Sequence, residues 1–247
     1  MKSIYSSSAD FYNKKTINSR DKFFQTYTTS DHTTKDLISI ATDKLNSLAQ
    51  PKILDIGTGN GFVLNEVAKN LNKRKKSELV GIDLSPEMVK RAKTYCADYN
   101  GIIILEADNF SIPFADNYFD VVTNKLSTNF SVSEVFRVLK KGGLFIFKEY
   151  GLLKGMGVIA ETFKDRVNVI DPVIYLKKIR DHKPQNMMYS QFYFEKSYTK
   201  DEIRNILAMA PIIRDFNEKK DMKIIKSLFA EGNITITSDP FLIVVVK

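Results

Sequence analysis

Residues 52–61 read KILDIGTGNG: an apolar run interrupted by Asp55, then three glycines at alternate positions, Gly57, Gly59 and Gly61. Glycine reaches positive φ and lets a backbone approach a ligand with no Cβ in the way. Residues 62–71 follow with Val63, Leu64, Val67, Ala68 and Leu71 at helical spacing. Strand, glycine turn and helix together make a nucleotide-binding unit, with free N–H groups at the helix N-terminus. A dinucleotide fingerprint, G-x-G-x-x-G, seats a pyrophosphate on that terminus. Here the third glycine comes one residue early, and a carboxylate at Asp55 would repel a pyrophosphate. Asp55 suits a ligand with a cationic amino-acid end. The alternative is a plain glycine turn between a strand and a helix.

Further side chains with chemistry recur at the ends of apolar runs. Residues 78–83, ELVGID, read as a second strand ending in Asp83. The acid lies about twenty residues past the glycine turn, where α/β nucleotide folds place a carboxylate on the ribose hydroxyls. A carboxylate accepts from two hydroxyls at once. Residues 102–106 are a third, nearly all-aliphatic strand, followed by Ala107-Asp108-Asn109-Phe110 on the binding edge of an open sheet. Residues 119–124 are a fourth strand, ending in Asn124. His32, a titratable group near neutral pH, is a candidate general base, with a surface or capping histidine as the alternative. Tyr12 and Tyr27 are further candidates. Cys96, the single cysteine, falls within a helical pattern and reads as packing, not as a nucleophile.

The elements that must position these groups alternate strand and helix. Residues 33–48 form an amphipathic pattern stopped by Pro51. Ser85-Pro86-Glu87 opens a helix with a capping serine and a proline at its first position. Ser131-Val132-Ser133-Glu134 and Thr199-Lys200-Asp201-Glu202 read as capping boxes. The first of these helices is expected to run to Gly142-Gly143, and a fifth strand to begin near Leu144. Helices are expected near 158–167 and 173–180, then a Met- and Tyr-rich stretch over 187–198. Residues 234–237 and 241–247 read as two strands joined by Ser238-Asp239-Pro240.

Taken in order, Asp55-Ile56-Gly57-Thr58-Gly59-Asn60-Gly61, then residues 81–88 (GIDLSPEM), Asp108-Asn109, residues 112–120 (IPFADNYFD) and residues 136–143 (FRVLKKGG) resemble the class I S-adenosylmethionine-dependent methyltransferases. The phrasing is similar to the branch that includes ubiquinone and menaquinone C-methyltransferases. The resemblance runs from residue 52 to about 149. It implies S-adenosylmethionine as cofactor, held by Asp55, Gly57, Thr58, Gly59, Gly61, Asp83, Leu84, Met88, Asp108, Asn109, Phe110 and Asn124. Asp108 would accept from the adenine amino group, the Asn109 backbone N–H would donate to the ring, and Asn124 would face the sulfonium. The stretch between the fourth strand and the next helix, 125–130, is shorter than in the quinone enzymes, which counts against a quinone acceptor.

The implied fold is α/β: a Rossmann-like, seven-stranded, mostly parallel sheet with a C-terminal antiparallel hairpin and a helical lid insertion. We expect one methyltransferase domain over 1–247. Residues 1–32 are an N-terminal arm, 33–149 the cofactor-binding core, 150–198 the lid insertion and 199–247 the end of the core. The arm carries Tyr5, Phe11, Tyr12, Phe23, Phe24 and Tyr27, and the insertion is rich in aromatics and methionine. Such side chains suit an apolar acceptor pocket, so the expected acceptor is a small molecule.

Composition limits the rivals. The 247 residues carry a net charge of +8, which admits nucleic acid as a partner. The dense basic cluster, Lys73-Arg74-Lys75-Lys76, falls at a turn between helix and strand and is read as solvated, so nucleic acid is not favoured. No Asn/Asp-Pro-Pro-Tyr follows the fourth strand, where Thr123-Asn124-Lys125-Leu126 stands; this disfavours attack by an exocyclic base amine. An RNA or protein methyltransferase and a non-catalytic cofactor-binding module are the rival readings. The first residues lack a signal-peptide run and the longest apolar stretch, 241–246, is too short to span a bilayer. A reducing, cytoplasmic compartment with no membrane partner is the expectation. No metal site is expected.

Overall fold

The computed structural model describes residues 32–247 except 73, 75, 100, 168–170, 211, 230 and 231. Two compact units divide them. The first comprises Asp31–Glu149, Val173–Ser190 and Leu242–Lys247; the second includes Tyr150–Pro172 and Gln191–Phe241.

The first unit is built on the seven-stranded sheet. Its elements in chain order are α1 (His32–Asn46), β1 (Lys52–Ile56), α2 (Phe62–Asn70), β2 (Glu78–Asp83), α3 (Pro86–Tyr95), β3 (Ile102–Glu106), β4 (Phe119–Lys125), α4 (Val132–Val138) and β5 (Leu139–Tyr150). Later come α6 (Pro172–Arg180), β6 (Asn186–Gln191) and β9 (Pro240–Val246), after α5 (Gly157–Thr162) of the second unit. The strand order is β3-β2-β1-β4-β5-β9-β6. β1 pairs in parallel with β2 and β4, β2 with β3, and β4 with β5. A parallel strand covered on both faces is apolar almost throughout, and β1 and β4 are buried over nearly their whole lengths. The chain winds outward from β1 to β3 and then returns to β4 beside β1. That reversal opens a crevice at the C-terminal ends of the strands.

Local chemistry fixes the helix starts. Ser85 accepts from the Met88 N–H, with Pro86 at the first position of α3. Ser131 accepts from the Glu134 N–H. The Glu134 carboxylate does not turn back to close the expected capping box. It accepts from the Ile112 N–H at 2.8 Å and from Arg137 instead. α4 also ends earlier than its glycines suggest. Leu139 already pairs with Phe119 of β4, so the strand claims Leu139 to Gly143.

An antiparallel pair closes the sheet at its C-terminal end, as expected, but its edge strand comes from a different stretch. The Gly142 and Lys247 backbones bond at one end of β5 and Gly151 and Asp239 at the other, so β9 runs antiparallel to β5. The Gln185 N–H donates to Val246 and the Phe192 N–H to Pro240, which sets β6 antiparallel to β9. Residues 234–237 do form a strand, β8 (Ile234–Ser238), but it pairs with β7 (Phe194–Tyr198) in a separate two-stranded sheet. Only Asp239 separates β8 from β9. The tightest common hairpin needs two loop residues, so the two strands cannot fold back on each other. The Met- and Tyr-rich stretch, for which no element was expected, supplies strands β6 and β7, and the two helices expected before it are α5 and α6.

The second unit adds α7 (Lys200–Met209) and α8 (Glu218–Ser227) to α5, β7 and β8. Its core is separate, with Ile159, Phe163, Ile203, Ile225 and Ile236 among its buried members. Thr199 and Glu202 make the full capping box expected for α7. The Arg166 guanidinium grips the buried Asp221 carboxylate with two bonds, at 2.8 and 2.9 Å.

Candidate cofactor site

The glycine turn sits where β1 meets α2. Gly57, Gly59 and Gly61 all have positive φ, at 63°, 58° and 82°. A Cβ on Gly57 would come within 2.6 Å of the Ser127 Cβ, and one on Gly61 within 2.6 Å of the Cys96 sulfur. Conformation and contact thus both demand glycine at these two positions. Cys96 packs as expected. Its thiol lies 3.6 Å from the Gly61 carbonyl, and burial pushes its pKa up to about 11, far from a reactive thiolate.

The turn is latched to β2. The Thr58 N–H donates to the Ile82 carbonyl at 2.9 Å, and the Gly59 N–H donates to Asp83 Oδ2 at 2.8 Å. Asp83 Oδ1 accepts from the Ser85 N–H at 2.9 Å. One carboxylate therefore ties the glycine turn to the start of α3. A carboxylate oxygen can accept more than one hydrogen bond.

Asp55 is buried, with 2 % of its surface exposed. Its Oδ1 accepts from the Thr123 hydroxyl at 2.7 Å. Burial raises its pKa to about 6, against the opposing pull of Thr123. Thr123 had no signature in the sequence; it faces Asp55 because the β1–β4 register sets the two residues side by side. Asn124 is fully buried at the end of β4. Its amide donates to the Ser127 carbonyl at 2.9 Å and accepts from the Ser127 N–H at 3.0 Å. Ser127, also missed in the sequence, is thereby fixed against Gly57. The signal that could have found it is Asn124 three residues earlier, a side chain that readily bonds nearby backbone.

After β3, Asp108 is exposed and its Oδ1 accepts from the Phe110 N–H at 2.9 Å. Asn109 Nδ2 donates to the Asn129 carbonyl at 3.2 Å, tying this loop to the one after β4. Leu84, Phe110 and Leu126, which follow β2, β3 and β4, are exposed at 52 %, 50 % and 37 %. Large apolar side chains thus rim the C-terminal edge of the sheet. Met88 is buried in the core of α3. His32 stands exposed at the first position of α1. Tyr12 and Tyr27 lie outside the described residues, as does the rest of the segment expected to form an arm, up to residue 31.

The family model described as a methyltransferase domain matches residues 54–147, from β1 through β5. Residues 54–147 are a class I S-adenosylmethionine-dependent methyltransferase domain. Among curated relatives, this chain is 34% identical over 119 residues to the ubiquinone/menaquinone biosynthesis C-methyltransferase of Geotalea daltonii, covering 44% of this chain and 50% of that one. It is also 34% identical over 119 residues to the demethylmenaquinone methyltransferase of Thermus thermophilus, covering 44% and 52%. The chain spans about half the length of these curated relatives. Among solved structures, the YcgJ protein of Bacillus subtilis matches with TM-score 0.63 at 17% identity, over 86% of this chain and 98% of that one. The phosphoethanolamine N-methyltransferase 2 of Haemonchus contortus matches with TM-score 0.55 at 18% identity, over 86% and 52%. At such identities these two structures speak for the fold alone. Among the described residues no helix is long and apolar enough to cross a membrane.

Proposed function

We propose that the protein is an S-adenosylmethionine-dependent methyltransferase acting on a small-molecule acceptor. The observation that carries the reading is the Asp83 latch: an acid at the end of β2 bonded to a positive-φ glycine turn, beside the sheet's reversal point. The cradle fits the group: three glycines at positive φ turn the backbone tightly between β1 and α2, and two acids, the buried Asp55 and Asp83 at the end of β2, flank that turn. The cofactor supplies an activated methyl on a sulfonium, for transfer to a nucleophilic N, O, C or S atom.

The chain's own work is binding, orientation and exclusion of water. Asp55 stands for the cationic amino-acid end and Asp83 for the ribose hydroxyls. Asp108 and the Asn109 N–H take the adenine edge, with Leu84 and Phe110 supplying apolar contact. Asn124 and Ser127 shape the wall nearest the sulfonium. Alignment of reacting atoms is worth roughly 7–11 kcal/mol at best, so no general base is required. The aromatic and methionine side chains of residues 1–32 and 150–198 select the acceptor. The relatives' names make quinones one class to include among acceptors, although the connection from β4 to α4 is short, 126–131.

Calorimetry with S-adenosylhomocysteine tests the cofactor half. Asp83→Ala removes a charge-assisted contact worth about 1.5–3 kcal/mol, so affinity should fall roughly 10- to 100-fold. Unchanged affinity, or equally tight binding of NAD, would remove the assignment. A screen of metabolite fractions with methyl-labelled cofactor tests the acceptor half. Label appearing only in RNA or protein would overturn the small-molecule reading.

A further inference from the structure

The connection from β3 to β4, residues 107–118, is long for an α/β sheet, yet it is fixed at two points by side chains and backbone from outside it. At its start the Ala107 N–H donates to the Asp83 carbonyl at 3.1 Å. Residues 108–111 then form a turn closed by the Ser111 N–H on the Asp108 carbonyl, 3.1 Å. Immediately after the turn, α4 takes hold of the backbone. Ile112 is gripped at both polar atoms: its N–H donates to Glu134 Oε2 at 2.8 Å, and its carbonyl accepts from Arg137 Nη2 at 2.8 Å. Arg137 Nη1 donates to the Phe114 carbonyl at 2.7 Å and to Asp116 Oδ1 at 2.9 Å. Arg137 Nε and Nη2 bond the two Glu134 oxygens at 2.7 and 2.8 Å.

All five guanidinium donors are thereby used, in the planar fork that only arginine offers. A backbone loop satisfied this way costs no unpaired polar groups where it leaves the sheet. The phenyl ring of Phe114 packs edge-on against Phe119 of β4, with centroids 4.9 Å apart, so the gripped segment is also anchored below. The four-residue turn 108–111 is suspended between two hydrogen-bonded points, Ala107 and Ile112. Asp108 and Asn109 are part of that turn.

We propose that Arg137 is a positioning residue for base recognition: by fixing Ile112, Phe114 and Asp116 it sets where Asp108 and the Asn109 N–H meet the cofactor's adenine. The inference rests on the methyltransferase reading above and adds to it a residue that touches no ligand. It predicts a loss of base discrimination rather than a general loss of fold. Glu134 is the partner that orients the guanidinium and completes the grip on Ile112.

The test compares S-adenosylhomocysteine with its 6-oxo analogue, S-inosylhomocysteine, which presents an oxygen where adenine presents a donor. Binding of both is measured by calorimetry for the native protein, Arg137→Lys and Arg137→Ala, with thermal melts to establish that each is folded. Lysine keeps the charge and stem but cannot reach five acceptors. The native protein should prefer the adenine ligand by roughly tenfold or more, since a polar group left facing the wrong partner is costly. In Arg137→Lys that preference should shrink to about twofold or less, with S-adenosylhomocysteine bound roughly tenfold more weakly. A folded Arg137→Lys protein with the native preference overturns the inference while leaving the methyltransferase reading standing. A native protein that binds neither ligand overturns both. If Arg137→Ala does not fold, the lysine variant decides.

Discussion

Asp55 is a buried acid whose pKa is pushed up to about 6 by desolvation, and that fixes how it behaves with pH. Its folded pKa lies above the ordinary carboxylate value of 3.8. Between those values the folded chain binds more protons than the unfolded one, so this residue's contribution to stability falls as pH rises through about 4 to 6. A cation placed near Asp55 reverses the preference, because it favours the ionised form. S-adenosylhomocysteine, with its ammonium, should therefore bind roughly tenfold more tightly at pH 7 than at pH 5. In Asp55→Asn the binding curve should be flat over the same range. A native protein whose affinity is unchanged between those pH values would show that the ligand's amino end does not meet Asp55. Thr123 bears on the same residue: its hydroxyl donates to the carboxylate at 2.7 Å and favours the ionised form, so Thr123→Val should move the midpoint upward.

At the scale of elements, the Arg166–Asp221 pair joins three segments of the second unit. Asp221 is 2 % exposed and accepts two bonds from Arg166 and one from the Asn217 N–H at 2.7 Å, while Arg166 also donates to the Arg214 and Asp215 carbonyls. Arg166 holds the Asp221 carboxyl below the usual range, so its stabilisation is present above pH 4 and is lost as pH falls through the lowered value. Asp221→Asn should cost about 1.5–3 kcal/mol, or roughly 3–10 °C in Tm, and should blunt the acid sensitivity of the melt. Asp201→Ala, which removes one of the two exposed acids paired with Arg204, should change stability by no more than about 1 kcal/mol. Equal melts for the two variants would refute the distinction. What was legible beforehand divides along the same lines. The glycine turn, β1 to β4 and the caps at Ser85, Ser131 and Thr199 are local in origin and were readable as such. The Asp55–Thr123 contact depends on strand register, which no short stretch encodes. Glu134 was read as closing a capping box, but Arg137 three residues on outcompetes that bond. α8 was not foreseen: its buried Met222 and Ile225 sit among lysines and acids that blur the period. β6 was missed because its side chains alternate only weakly between exposed and half-buried.

At the scale of the whole molecule, the chain's first thirty residues carry a test of the acceptor's nature. The sheet unit's first buried side chains are Thr33 and Thr34, followed on the same helix by Leu37, Ala41 and Leu45. Asp55, the glycine turn, Asp83 and the Arg137 grip all lie beyond them. The bonds described for those groups are all made with residues beyond 31, so on removal of residues 1–30 affinity for S-adenosylhomocysteine should stay within about threefold of the full chain. The deleted segment carries Tyr5, Phe11, Tyr12, Phe23, Phe24 and Tyr27 but no dense Lys/Arg stripe of the kind that tracks a phosphate backbone. If these aromatics help align a small acceptor, their loss should lower turnover by roughly 100-fold or more, as small misplacements of reacting groups do. The measurement is single-turnover transfer of a labelled methyl to the acceptor found in the metabolite screen, for the full chain and for residues 31–247 side by side. Full-rate transfer by the shortened chain would take the segment out of the active site. Transfer confined to tRNA or ribosomal fractions, weakening steeply as salt is raised, would instead make the net charge of +8 the guide to the substrate.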